Sequence, residues 1–255
     1  EMTVVANSLT KVFNNESYYV ASFVDKIGKP LKNRNVDIVI NGLKYVERTD
    51  SQGVVKLKMN LKPDRYLVTA INPLTNDYVA NTVNVLPSIV QNKNVVMYYG
   101  TTKSYTVKII GNDGKVVGSG KIVKFNVNGK TYKVKTNKKG IVSLKLKLNV
   151  GKYTITAGYN GYKVSNKITV KSLLSAKNIV VQKSKVAKFK AKLVNKNAKP
   201  LKGKKITFKI KGKSYKVKTN KKGIAVLKLK LKVGKYIVKS SYGKSKITNK
   251  IIVKK

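Results

Sequence analysis

"TYKVKTNKKGIVSLKLKL" runs from Thr131 to Leu148, and "SYKVKTNKKGIAVLKLKL" runs from Ser214 to Leu231, with three changes in eighteen positions. Lysine occupies many of the alternate positions. A period of two is the signature of a strand, so Leu227, Leu229 and Leu231 share one face and Lys228, Lys230 and Lys232 the other. Upstream, "FKIKGKSYKVK" alternates around Gly212, "FNVNGKTYKVK" around Asn128-Gly129, and a diverged "IVINGLKYVE" around Asn41-Gly42. An Asn-Gly pair between two alternating runs predicts a type I′ hairpin. "TNKKG", and "TDSQG" in the diverged copy, carry turn residues with a glycine free to take positive φ.

The repeat extends along the whole chain. Landmark glycines stand at Gly53, Gly140 and Gly223, and landmark tyrosines at Tyr66, Tyr153 and Tyr236. Both sets are spaced by 87 and then 83 residues, which predicts three units at 1–87, 88–171 and 172–255. No segment has a 3.6-residue apolar period. Seven or so short strands per unit predict an all-β chain of sandwiches. At ~3.3 Å per residue, strands of eight to ten residues make each unit roughly 30 Å long, so three in an elongated array would reach about 100 Å.

Ahead of the penultimate strand of each unit stand "LKPDRY", "LNVGKY" and "LKVGKY". A tyrosine placed there, behind a turn, matches the tyrosine corner of immunoglobulin-like sandwiches, a structural role for Tyr66, Tyr153 and Tyr236. With these motifs the chain resembles the tandem Ig-like repeats of prokaryotic surface adhesins. The lysine-rich adhesin-like proteins of methanogenic archaea, with a core "NGK-x-Y-x-x-x-TN-x-x-G-x-A-x-L-x-L", are the nearest likeness. The resemblance covers all three units and departs most in the first, where "TDSQG" replaces "TNKKG". It implies three tandem Ig-like domains on an extracellular cell surface, a cell-wall setting and a role in cell adhesion.

Elimination narrows the chemistry. The chain has no Cys and no His, which removes disulfides, thiol nucleophiles, histidine triads and Cys/His metal sites. The third unit has no Asp or Glu either, and the second has only Asp113, inside the turn-like "GNDGK". In the first unit Glu1, Glu16, Asp25, Asp37, Glu47, Asp50, Asp64 and Asp77 are scattered over strand ends and loops without motif spacing. A non-enzymatic protein without cofactor or metal is therefore expected. "RTDSQG" lacks the ligand spacing and terminal Glu of a calcium loop and reads as a β-turn. A Lys–Asn isopeptide cross-link needs a buried acid; only the first unit has the ingredients, in Lys11, Asn81, Asn84 and an acid such as Asp37.

Net charge is +47, from 56 basic and 9 acidic residues. It is graded: 11 against 8 in the first unit, 17 against 1 in the second and 28 against 0 in the third. Outward lysines normally solubilise a sheet and guard its edges. That accounts for the alternation and leaves the missing acids unexplained, since such a field repels itself. The candidate polyanion contacts are Lys133, Lys135, Lys138 and Lys139 in the second unit, with Lys216, Lys218, Lys221, Lys222, Lys228, Lys230 and Lys232 in the third.

The expected partner is an anionic cell-wall polymer or glycan, or another cell surface, with the basic C-terminal units on the envelope and the near-neutral first unit presented outward. A polyanion- or nucleic-acid-binding module and a plain structural spacer are the alternatives. All three Arg lie in the first unit, and Tyr132, Tyr153, Tyr215 and Tyr236 stand mostly in core register. Neither pattern offers a base-stacking platform, so nucleic acid is expected to bind only non-specifically. No run is long and apolar enough for a transmembrane helix. "EMTVVANSLT" opens without Met or a basic-then-apolar leader, and the expectation is a segment of a longer chain.

Overall fold

A computed structural model describes residues 2–255, so Glu1, one of the acids considered above, lies outside the described residues. Among the described residues no helix occurs, and 24 strands form six sheets. The first eight are β1 (Val4–Ala6), β2 (Leu9–Val12), β3 (Tyr19–Phe23), β4 (Asn35–Ile40), β5 (Leu43–Arg48), β6 (Val54–Leu57), β7 (Asp64–Ile71) and β8 (Tyr78–Leu86). They form a three-stranded sheet β1-β3-β6 and a five-stranded sheet β2-β8-β7-β4-β5. The next eight are β9 (Ile89–Val90), β10 (Val95–Tyr98), β11 (Lys103–Ile109), β12 (Ile122–Val127), β13 (Lys130–Lys135), β14 (Ile141–Leu146), β15 (Gly151–Tyr159) and β16 (Tyr162–Lys171). The last are β17 (Leu174–Ala176), β18 (Ile179–Gln182), β19 (Ala187–Leu193), β20 (Lys205–Ile210), β21 (Lys213–Lys218), β22 (Ile224–Leu229), β23 (Gly234–Tyr242) and β24 (Ser245–Lys254). Each set repeats the same pair of sheets, β14-β11-β9 with β10-β16-β15-β12-β13, and β17-β19-β22 with β18-β24-β23-β20-β21.

The count is eight strands per sandwich rather than seven because the opening strand is split between the sheets. β17 runs antiparallel to β19, whereas β18 runs parallel to β24. Inward residues meet across the first and third sandwiches; in the third, Phe189, Leu193, Ile206, Phe208, Val238 and Ile251 share one core. In the first, Tyr19, Phe23, Ile38, Val68 and Val83 do so. By compactness the chain divides into two units: residues up to Lys93 with Thr106–Leu144 and Ile155–Ser165, and Asn94–Tyr105 and Lys145–Thr154 with Asn166–Lys255. That division runs through the middle pair of sheets.

Asn128 (φ 52) and Gly129 (φ 72) form the two-residue hairpin turn, as do Asn41-Gly42 and Lys211-Gly212. "TNKKG" then carries the chain from the five-stranded to the three-stranded sheet. Buried Thr219 accepts the Lys204 N–H (3.0 Å) and donates to the Leu201 carbonyl (2.5 Å). Asn220 Oδ1 accepts the N–H groups of Lys222 (2.9 Å) and Ile224 (3.0 Å), the geometry of an Asx turn. Gly223 is required twice over: its φ is +75, and a Cβ there would lie 2.5 Å from the Leu193 carbonyl oxygen. Thr136, Asn137 and Gly140 repeat the arrangement, and so do Thr49, Asp50 and Gly53. Every non-lysine position of the motif is thus used by the backbone.

The Tyr66 hydroxyl donates to the Lys62 carbonyl (2.7 Å), Tyr153 to Asn149 (2.8 Å) and Tyr236 to Lys232 (2.7 Å). A tyrosine opening the penultimate strand and bonded to the backbone four residues upstream is the tyrosine corner. With the paired sheets, it makes the protein an all-β chain of tandem immunoglobulin-like β-sandwiches.

Candidate polyanion-binding surface

Strand alternation puts the lysines outside, and the sheet crossing then separates them. Lys216 and Lys218 lie on β21, the edge of the five-stranded sheet, and Lys228 lies on β22 in the other sheet. Lys221 and Lys222 are the two free positions of the connecting turn, and Lys230 and Lys232 follow β22; all seven are exposed. In the second sandwich Lys133 and Lys135 are on edge strand β13 and Lys138 and Lys139 in the turn, again exposed. These eleven residues therefore form no single patch. Period-2 alternation is the same whichever sheet a strand joins, so sequence alone merged two surfaces into one.

Register reveals a different charge feature. Lys205 stands opposite Lys218, and Lys209 opposite both Ser214 and Lys239, on the five-stranded sheet. Lys188 stands opposite Lys228 on the three-stranded sheet. In the second sandwich Lys124 faces Lys133. Like charges directly across a ladder destabilise it, and the third sandwich has no carboxylate side chain to relieve them. The two ion pairs found among the described residues, Lys44–Asp37 (3.2 Å) and Lys58–Glu16 (3.0 Å), are both in the first sandwich.

The isopeptide ingredients of the first unit do not meet. Lys11 is buried, and its ammonium donates to the carbonyls of Asn15 (3.3 Å), Ser17 (3.0 Å) and Lys58. Asn81 Oδ1 instead accepts the Tyr19 hydroxyl (2.9 Å), and Asp37 pairs with Lys44. Burial pushes the Lys11 pKa below its ordinary value, Lys58 pushes the same way, and Glu16 opposes them. The amine thus serves as a clamp on two loops. Tyr132 stands in core register opposite Phe125, but β13 is an edge strand, and the residue is 38 % exposed.

The scattered acids are accounted for locally. Asp50 is a turn acceptor for Gln52 and Val54, whose N–H groups hold its carboxyl below the usual range. Asp77 accepts from the Thr3 hydroxyl (2.7 Å) and is lowered likewise. Among the described residues no three of Asp, Glu, His or Cys gather into a metal-sized group, and no helix is long and apolar enough to cross a membrane.

No family model matches the chain, and no curated protein matches it. Solved structures similar to it include the I9–I11 tandem from titin, at 15 % identity, 99 % coverage of both chains and a TM-score of 0.35. A titin I67–I69 variant matches at 13 % identity, covering 100 % of this chain and 98 % of that one, with a TM-score of 0.28. A Ca2+-stabilized adhesin that helps an Antarctic bacterium reach out and bind ice matches at 14 % identity, over 100 % of this chain and 75 % of that one, with a TM-score of 0.23. What the chain itself establishes is a set of tandem immunoglobulin-like β-sandwiches.

Proposed function

We propose that the chain is a non-enzymatic extracellular surface segment of three Ig-like domains, near 1–87, 88–171 and 172–255. Its basic C-terminal domains hold electrostatically to an anionic envelope polymer or glycan, and its first domain is presented for adhesion. The observation that carries this reading is the set of lysine pairs Lys205–Lys218, Lys209–Lys239 and Lys188–Lys228, on both faces of a sandwich without a single acid. Solubility alone is served by interspersed charges of both signs, which leave no repulsion of this kind. A polyanion removes that repulsion and releases its own counterions on binding, so retention should fall steeply with salt. The first domain supports the other half of the reading: its five-stranded sheet exposes Val46 (60 %) and Tyr78 (64 %) where the others carry lysines. The repeat core supports a likeness to lysine-rich adhesin-like proteins of methanogenic archaea.

The test is retention of the chain on an immobilised anionic polysaccharide as salt is raised. Wild type is compared with a variant in which Lys205, Lys209, Lys218, Lys228 and Lys239 are all Gln. The variant should elute at distinctly lower salt with a shallower log–log slope. Absence of retention at low salt sinks the anchoring idea, and tighter binding to duplex DNA than to polysaccharide at physiological salt favours a nucleic-acid module instead.

A further inference from the structure

On the outer face of the second sandwich's five-stranded sheet lies a depression of about 780 Å³. Its floor is Gly158, which faces Lys124 across β12, and Lys124 in turn faces Lys133 on β13. On the other side a Cβ at Gly158 would lie 3.6 Å from Lys163 Cγ. Three exposed lysines thus ring a point where the sheet has no side chain. The matching row is Val46–Asp37–Ile71–Tyr78 in the first sandwich and Lys216–Thr207–Ser241–Lys246 in the third, so neither has this gap. The next row of the depression is neutral and polar: Asn126, which donates to Thr131 Oγ1 (3.3 Å), and Thr156.

One end is fixed from the first sandwich. Phe13 packs on Tyr162 (5.5 Å between ring centres), Asn14 donates to the Asn160 carbonyl (3.2 Å), and Asn15 donates to the Asn112 carbonyl (3.0 Å). There a second depression of about 640 Å³, holding Asn112 and Asp113, adjoins the first and shares Ile122, Tyr159 and Asn160 with it. The two make one groove, with three lysines in the middle and Asn112, Asp113 and Lys121 at the end.

We propose that this groove binds an acidic oligosaccharide, with a sugar carboxylate or other ring-borne anion over Gly158 among Lys124, Lys133 and Lys163, and ring hydroxyls against Asn126, Thr131 and Thr156. The inference rests on the polyanion reading above and gives it a defined site. A sugar acid fits because it carries one charge per ring with hydroxyls between, as the rows alternate ammonium with amide and hydroxyl groups. The volume lies in the range of small-molecule sites. A phosphodiester chain fits less well, because the second sandwich has no Arg for bidentate phosphate contacts, and Tyr162 is already packed on Phe13.

The experiment titrates an oligogalacturonate hexamer, and maltohexaose as its neutral counterpart, into the full chain and into Gly158→Val. A valine Cβ meets only ordinary contacts, its branched side chain suits a strand, and net charge stays at +47. Expected are binding of the galacturonate at least tenfold tighter than maltohexaose, and a loss of at least tenfold in Gly158→Val. Retention of both proteins on long anionic polymer should be unchanged. Equal affinity of the two proteins for the hexamer overturns the site, and so does equal affinity of wild type for the two sugars. Hexamer binding lost in Gly158→Val, in a chain that no anionic polymer retains, would uphold the site and sink the anchoring reading.

Discussion

Phe189 is where the third sandwich departs from its neighbours in a way that can be costed. In the first, Tyr19 on β3 donates to Asn81 Oδ1 (2.9 Å); in the second, Tyr105 on β11 donates to Asn166 Oδ1 (2.5 Å). At the same place on β19 stands Phe189, and the matching Asn249 Oδ1 on β24 is buried without a partner. Its amide cannot turn away. Asn249 Nδ2 donates to the Ala176 carbonyl and to Asn178 Oδ1, both at 3.2 Å, which holds the amide as Asn81 and Asn166 hold theirs. An unmet buried acceptor costs about 1–3 kcal/mol, and a made hydrogen bond contributes about 1 kcal/mol net. Phe189→Tyr is therefore expected to stabilise the third sandwich by about 1–2 kcal/mol. Space is adequate, since Phe189 packs edge-on against Phe208 (5.8 Å), and in the second sandwich Tyr105 and Phe125 fill the corresponding core positions.

Native-state amide hydrogen exchange on the whole chain is the assay, because it reads each sandwich separately. The slowest amides of β19, β23 and β24 should exchange about five- to thirtyfold more slowly in Phe189→Tyr, at about 1.4 kcal/mol per tenfold. Those of the first sandwich should not change. Tyr105→Phe should cost the second sandwich a similar amount. Unchanged or faster exchange of the third sandwich would refute the assignment of Asn249 Oδ1 as an unmet acceptor.

Alkali should separate the sandwiches by the same pair. Burial pushes the hydroxyls of Tyr19 and Tyr105 up to about 12, against about 10 when unfolded. A raised folded value contributes stability that is complete below pH 10 and is lost as pH climbs toward 12. The first and second sandwiches should thus lose stability in that window while the third, with Phe189 at the same place, is spared that loss; tyrosinate absorbance appearing entirely at pH 10 with native circular dichroism would contradict this. Gly223→Ala should cost the third sandwich a few kcal/mol in urea unfolding, from positive φ plus the clash with the Leu193 carbonyl. Gly212→Ala, with similar φ (+72) and nothing within 4 Å, should cost only about 1 kcal/mol, and equal costs would show that the clash relaxes away. Lys209→Glu turns a like pair with Lys239 into an opposite one and should raise stability by about 0.5–1 kcal/mol at low salt. The gain should shrink in 1 M salt, and a salt-independent gain would point to packing instead.

What the sequence revealed followed from where its signals are local. Alternation, the Asn-Gly hairpins and the tyrosine ahead of the penultimate strand act within a few residues, so hairpins, faces and corner were all legible. The destination of a strand is not local. β21 and β22 alternate identically, and only the buried Thr219 and the positive-φ Gly223 tell that the chain changes sheet between them. β1 and β2 hold three and four residues, too short for their periodicity to show that the opening strand is shared. Lys11 has the right type for a cross-link, and its three carbonyl partners come from Asn15, Ser17 and distant Lys58, which spacing does not report. The groove did leave a trace: Gly158 interrupts the outward residues of "TITAGY", and a glycine inside a strand marks a close approach or a gap.

The lysine gradient gains meaning from the sameness of the scaffold. Thr, Asn and Gly of the turn, the corner tyrosine and the inward aliphatics are committed to the backbone and core in all three sandwiches, so variation is confined to outward positions. There the first sandwich places Asp37 beside Lys44, and the third places Lys209 beside Lys239. Each like-charged pair is unfavourable by a few tenths of a kcal/mol up to about 1, in a fold whose total stability is of order ten. Mixed charges would spare the same strands this repulsion, as Lys44 and Asp37 do in the first sandwich. The second sandwich goes further by removing a side chain at Gly158 within its lysine row, which lowers packing and opens a groove. Uncompensated charge and a gap in a sheet are both costly to folding, and an anionic ligand offsets both at once.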